Sequence, residues 1–118
     1  MPNPIVHFEI IGSDSAKTKQ FYTELFDWTI DDDNPMNYGM VHTGSDRGIG
    51  GGIYGVEEED DRPGLKIYIE VDDLQAYLDK AEELGGKTIL PPTVVPDMVT
   101  FALFADPDGT LIGLVKGE

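Results

Sequence analysis

The sequence predicts an α+β protein: two tandem βαβββ modules that share a curved, mixed sheet and enclose a cleft. Three observations carry this. First, the chain repeats. Slid by half its 118 residues, the stretch 7–30 lies over 66–89 without a gap, and Asp14 meets Asp73, Glu24 meets Glu83, Leu25 meets Leu84, Thr29 meets Thr88 and Ile30 meets Ile89. Second, each copy opens on a short strand rich in β-branched or aromatic residues and continues into an amphipathic helix. Third, Gly, Pro, Asn and Asp clusters cut the rest of each copy into short strands. One domain over 1–118 is expected, built from modules 1–56 and 65–118. A module of roughly 60 residues buries too little apolar surface to be secure alone.

Taken in order, Ile5 to Ile11 reads as the first strand. Asp14 or Ser13 caps the helix that follows, whose stripe is Thr18, Phe21, Tyr22, Leu25 and Phe26. Trp28 to Asp32 reads as a strand, Asn34-Pro35 as a turn, Tyr38 to Thr43 as a strand, and Gly48 to Tyr54 as a further strand softened by glycine. The acidic stretch from Gly55 to Gly64 is the linker. In the second copy Leu65 to Val71 is a strand. Asp72-Asp73 caps a helix with the stripe Leu74, Tyr77, Leu78, Ala81 and Leu84, and Gly85-Gly86 stops it. Lys87 to Leu90 is a strand ended by Pro91-Pro92. Met98 to Ala105 and Thr110 to Val115 form a hairpin around Asp106-Pro107-Asp108-Gly109, since an Asp-Gly pair suits its turn.

Composition narrows the function. Hydrophobic residues make up 40% of the chain, which supports a real core. Eight Lys and Arg stand against 23 Asp and Glu, a net charge of −15, so phosphate backbones and anionic membranes are repelled. No nucleic-acid or membrane partner is expected. The absence of cysteine removes disulfides, thiolate metal sites and cysteine nucleophiles together. The opening Met-Pro-Asn-Pro lacks the basic and apolar regions of a signal peptide, and a cytoplasmic location is expected. The glycines from Gly48 to Gly52 do not have dinucleotide-binding spacing, and no helix follows them. Asp106 to Gly109 lacks the closing glutamate of a calcium loop.

Strand alternation supplies the candidate site. Phe8 and Ile10 share one face of the first strand, His7 and Glu9 the other. In the first strand of the second copy, Ile67, Ile69 and Val71 share one face, and Lys66, Tyr68 and Glu70 the other. The apolar faces must pack on the helices. The repeat is then expected to turn both polar sets toward one cleft. His7, Glu9, Tyr68 and Glu70 include candidate general acids and bases. Lys66 is a candidate anion-binding group, or simply the neutralising partner of Glu9 or Glu70. His42 faces either cleft or solvent.

The duplicated plan resembles the vicinal oxygen chelate superfamily, which includes glyoxalase I, extradiol dioxygenases and bleomycin-resistance proteins. The residues that carry the resemblance are His7-Phe8-Glu9-Ile10, the run Phe21 to Trp28, Ile69 to Leu74, Glu83 to Gly86, and Asp106 to Gly109. The glycine triplet Gly50-Gly51-Gly52 is similar to that of the uncharacterised glyoxalase-like group. The resemblance implies a small-molecule ligand and, in many members, a homodimer. Trp28, Phe26 and Tyr54 are candidates for its apolar contact patch, with the monomer core as the other place for Phe26 and Trp28.

Metal-dependent members hold one divalent ion with His and Glu from the first and last strands of each half, a donor set suited to such an ion. Here His7 falls on the first position, Lys66 on the second histidine, Gly113 on the final glutamate, and Gly52 or Tyr54 near the remaining one. The resemblance therefore implies a small-molecule-binding, glyoxalase-like protein without the usual metal quartet. It would be a ligand-binding protein or a metal-independent enzyme, with His7, Lys66, Tyr68 and Gly113 at the ligand. The alternative is a divalent-metal-dependent lyase or dioxygenase whose rearranged ligand set includes His7.

Overall fold

The structure is a computed structural model and describes residues 2–55 and 63–117. It is an α+β protein, with eight strands, two helices and mixed pairing among the described residues. Most of the expected acidic linker, including 57–61, lies outside them. No described helix is long and apolar enough to cross a membrane. The chain divides into two compact units, His7–Lys66 and a second made of Met1–Val6 with Ile67–Glu118.

In the first unit, β1 (Ile5–Gly12) runs parallel to β4 (Gly51–Gly55), which pairs antiparallel with β3 (Gly39–His42), itself antiparallel to β2 (Thr29–Asp31). The order β2-β3-β4-β1 puts Phe8 opposite Gly51 and Glu9 opposite Gly52. A Cβ on Gly51 would meet the Phe8 carbonyl and ring at 2.5–2.6 Å, so glycine is what lets these strands close here. Val41 and Ile53 form the fully buried floor.

Helix α1 (Ser15–Phe26) begins at Asp14, whose carboxylate accepts from the Lys17 amide. Asp14, and not Ser13, is the cap. The helix ends on Asp27 in the left-handed region at φ 60°, with the Asp27 amide bonded to the Thr23 carbonyl. The expected apolar stripe needs correction. Phe21, Leu25 and Phe26 are each more than half exposed, and the buried residue of the helix is Lys19, at 8%. Its stem packs against Gly39, while its ammonium donates to Asp32 Oδ2 at 3.1 Å and to the Asn37 carbonyl at 3.0 Å. A long lysine stem covers apolar surface as a leucine would and carries its charge to a partner at the edge. Periodicity ranks residue types by hydrophobicity and so passes over such a lysine. Exposed Phe26 joins half-buried rings: Tyr22 stacks on Trp28 at 5.4 Å, and Phe26 and Phe8 lie 5.3 and 5.9 Å from Trp28.

The second unit repeats the plan with a better core. β5 (Gly64–Val71) runs parallel to β8 (Leu111–Lys116), which pairs antiparallel with β7 (Val99–Ala105), and β6 (Lys87–Val95) closes the edge. Helix α2 (Leu74–Glu83) is capped by Asp73, whose carboxylate accepts from the Ala76 amide. Leu74 and Leu78 sink from it onto Val71, Ala102 and Leu114, with Ile69, Tyr77 and Phe104 alongside. Gly85, at φ 101°, turns the chain so that the Gly86 amide reaches the Ala81 carbonyl. Packing under α2 is incomplete toward its C-terminal end. An apolar cavity of about 450 Å³ remains between Tyr77, Leu84, Ile69 and Phe104.

One expected boundary is overturned. Pro91-Pro92 does not end a strand, because β6 runs on to Val95. It is an edge strand, and the register with β7 shifts between Leu90 and Thr93, across the two prolines. A strand can carry residues without an amide proton where it has no outer neighbour and where a bulge relaxes the ladder. The Asp106–Gly109 hairpin forms as expected: Asp106 Oδ1 accepts from the Asp108 and Thr110 amides, and Gly109 sits at φ 92°.

Candidate functional site

The polar alternation of β1 is realised in the first unit. Glu9 is 6% exposed and Lys66 7%, and the two pair at 3.4 Å between Nζ and Oε1. The neutralising partner left open for Lys66 is therefore Glu9. Burying both ions costs solvation, and their mutual attraction offsets it only when further hydrogen bonds complete the shells. Tyr38 supplies one of these. Its hydroxyl donates to Glu9 Oε2 at 2.8 Å and lies 2.9 Å from His7 Nε2. Lys66, Glu9, Tyr38 and His7 thus stand in one connected line of polar contacts.

Tyr38 is placed by its own loop. The Tyr38 amide donates to Asn34 Oδ1 at 2.9 Å, and Asn34 Nδ2 donates to the Tyr38 carbonyl at 2.7 Å. One asparagine side chain thereby imitates a strand neighbour for the residue ahead of β3. The tyrosine then lies over Gly52, its hydroxyl and ring carbons occupying the space a Cβ there would fill. The sequence reading missed Tyr38 as a site residue. The available signal was the glycine: a strand-interior glycine marks a place where another group comes close.

Burial lowers the pKa of His7 from its ordinary value, and the Glu9 carboxylate opposes this in part. The imidazole is thus biased toward its neutral form, able to take a proton or hydrogen bond. His42, at the end of β3, is exposed.

Tyr68, Glu70 and Gly113 belong to the second unit. Tyr68 is buried, pairs in register with Gly113, and lays its ring where a Cβ at Gly113 would be. Its ring lies 6.4 Å from Phe101. Glu70 packs its side chain against Gly117, its amide donates to the Pro4 carbonyl, and its carbonyl accepts from Asn3. Each unit therefore contains a strand glycine that gives its volume to a tyrosine ring.

These residues do not fit a bound divalent ion. A metal needs several converging anionic or imidazole donors. Here Glu9 is engaged by an ammonium, His7 Nε2 lies on the Tyr38 hydroxyl, and the hydroxyl fills the space over Gly52. Among the described residues, no group of three or more His, Asp or Glu side chains converges in a way that could hold a metal. The cavity under α2 carries Lys80, Asp106 and Tyr77 on a mostly apolar lining and, among the described residues, has no histidine there.

The family model for the Glyoxalase/Bleomycin resistance protein/Dioxygenase superfamily matches residues 4–114, and the chain belongs to that superfamily. Curated relatives named "Putative glyoxylase CFP32", from Mycobacterium tuberculosis and Mycobacterium bovis, are 30% identical over 119 residues. The match covers 86% of this chain and 41% of theirs, so the chain spans less than half the length of those relatives. Among solved structures, hypothetical protein BH1468 from Bacillus halodurans superposes with a TM-score of 0.74 at 15% identity, covering 100% of this chain and 96% of that one. Methylmalonyl-CoA epimerase from Mycobacterium tuberculosis gives 0.71 at 17% identity, covering 97% and 87%. These likenesses are of fold.

Proposed function

We propose that the chain is a small-molecule-binding, glyoxalase-like protein that works without the superfamily's usual metal quartet. It either holds a ligand or moves a proton with its own side chains. The observation that carries this is the buried Lys66–Glu9 pair, bonded through Tyr38 to His7. A fixed ammonium stands where the resemblance expects a metal-binding histidine, and two unit charges of the same sign at close range repel strongly in a buried site. His7 is the proton acceptor of the set, and Glu9 and Lys66 supply its polar surroundings. For Tyr68 and Glu70 as further acid–base groups, and Gly113 at the ligand, the support is the resemblance alone.

Metal analysis of the purified protein, followed by a thermal-shift screen of small molecules, tests the reading. Expected are substoichiometric nickel, zinc, manganese and iron, and at least one ligand whose effect is lost in His7→Ala. Stoichiometric metal that disappears together with activity in His7→Ala would overturn it in favour of a metal-dependent lyase or dioxygenase.

A homodimer belongs to the same proposal. Its support is the aromatic surface of α1, where Phe21 and Phe26 stay more than half exposed beside Trp28. Sedimentation at micromolar concentration should give a dimer, weakened by Phe26→Ser. A clean monomer removes this part.

A further inference from the structure

We propose that the cavity under α2 is a further binding site, for a small aromatic carboxylate whose ring fills the apolar space and whose carboxylate meets Lys80. The site is built wholly from the second unit and does not draw on the His7 line of the first.

The repeat explains why the cavity exists. β1 and β5 begin and end at one common offset, and Asp14 and Asp73 cap their helices at that same offset. On this alignment Ala81 takes the place of Tyr22, and Lys87 that of Trp28. The first unit fills the end of its helix with rings: Tyr22 stacks on Trp28, and Trp28 reaches Phe8 on β1. The second unit has only a methyl group and an exposed lysine at those positions. What remains is a space of about 450 Å³ bounded by Ile69, Phe104, Ala81 and Leu84. Close-packed interiors leave few voids larger than a water molecule. Small-molecule sites start at about 300 Å³. Leu84 borders the cavity and is still 71% exposed, so an apolar side chain flanks the opening.

A ring is the occupant the repeat specifies, because the first unit places its own rings there. The polar groups on the lining select the head group. The Tyr77 hydroxyl donates to Asn3 Oδ1 at 3.3 Å, and Asn3 Nδ2 donates to the Glu70 carbonyl at 3.1 Å. Asp106 Oδ1 accepts from the Asp108 and Thr110 amides of its own hairpin. Lys80, in the last turn of α2, is the one cation among the described lining residues. Neither of the ion pairs described above involves it. An ammonium on a flexible four-carbon stem can turn to a carboxylate at the opening. The net charge of −15 opposes anions at long range and so favours a ligand with a single negative charge.

Backbone amide NMR of the isotope-labelled full chain, titrated with phenylacetate, tests the proposal. Neutral phenylacetamide and cationic phenethylamine are titrated alongside. The expected result is a saturable shift of the Ala81, Gly86 and Phe104 amides with phenylacetate. Replacing the carboxylate by the amide, or Lys80 in Lys80→Gln, should each weaken binding about two- to fivefold, the range of a solvent-exposed ion pair. Ala81→Phe supplies the missing ring from the chain itself, so it should raise the urea midpoint and abolish the shift. No saturable shift at these amides overturns the proposal. Binding of phenylacetamide or phenethylamine as tight as that of phenylacetate overturns it, as does undiminished binding in Ala81→Phe. Shifts centred on Tyr38 and Gly52 would put the probe in the first unit and overturn it too. Should Ala81→Phe not fold, Ala81→Leu is read in the same way. A negative result at the cavity leaves the function proposed for the first unit standing.

Discussion

Tyr38 lies across Gly52, with its hydroxyl in the volume that a Cβ on Gly52 would need. The two residues meet across the first unit because Asn34 sets the height of Tyr38 and the β1–β4 ladder sets Gly52 opposite Glu9. The glycine is thus part of the site without contributing a functional group. It makes room for the hydroxyl that joins Glu9 to His7.

Gly52→Ala should therefore destabilise the protein, although alanine normally gains from a stiffer unfolded chain. Forcing a methyl into a packed place costs about 1–3 kcal/mol, against a gain of about 0.4–1 kcal/mol from the unfolded state. Urea denaturation of Gly52→Ala, Tyr38→Ala and the pair should show a double variant less destabilised than the sum of the singles. Strict additivity would mean that the ring does not occupy this space.

The buried ion pair makes a sharper prediction. Removing one partner takes a buried opposite charge away from the other. Glu9→Ala should cost about 3–5 kcal/mol, whereas replacing both ions by apolar residues of similar size is often neutral or stabilising. Glu9→Leu with Lys66→Met should thus recover most of the stability lost in either single variant. A double variant as unstable as Glu9→Ala would show that the pair contributes through geometry and not through charge balance.

Much of this was legible in the sequence. The repeat fixed the element order, and alternation put His7 and Glu9 on one side of β1. The Lys66–Glu9 partnership was among the alternatives because alternation set Lys66 on the polar face, where Glu9 or Glu70 could neutralise it across the sheet. Tyr38 was not legible, because its place depends on a loop conformation and on a void opposite, and neither leaves a period. Lys19 was missed for a related reason. A residue that packs with its stem and pays for its charge at the tip looks polar to any hydrophobic pattern. Pro91-Pro92 misled because a proline reports only a missing donor, while its cost depends on whether the strand is at an edge.

Asn34 offers a local test of how Tyr38 is held. Its side chain makes two hydrogen bonds to the Tyr38 backbone, at 2.9 and 2.7 Å. A net hydrogen bond contributes about 0.5–1.5 kcal/mol, so Asn34→Ala should lose roughly 1–3 kcal/mol if both count. Asn34→Asp keeps the acceptor for the Tyr38 amide and loses the donor, and should fall between. Hydrogen exchange at the Tyr38 amide should quicken in Asn34→Ala and stay slow in Asn34→Asp. Equal protection in all three would mean that the loop is held by something other than this side chain.

His7 gives a pH signature whose direction follows from its burial. Desolvation lowers its pKa in the folded chain, and the Glu9 carboxylate recovers only part of that. In the unfolded chain the imidazole takes up its proton near its usual value of about 6.5. As pH falls below that value, the unfolded chain binds the proton first, and a state that binds more protons gains as pH falls. Stability should therefore be undiminished above about 6.5, decline through the interval down to the folded-state pKa, and then level off as far as His7 is concerned. Urea midpoints taken from pH 7.5 to pH 5.5 should fall more steeply for the natural protein than for His7→Gln, with the same carboxylate background in both. His42 is exposed and common to both proteins, so it cancels in the comparison. Parallel curves would mean that His7 titrates alike in the two states, and that its burial does not bias it toward the neutral form.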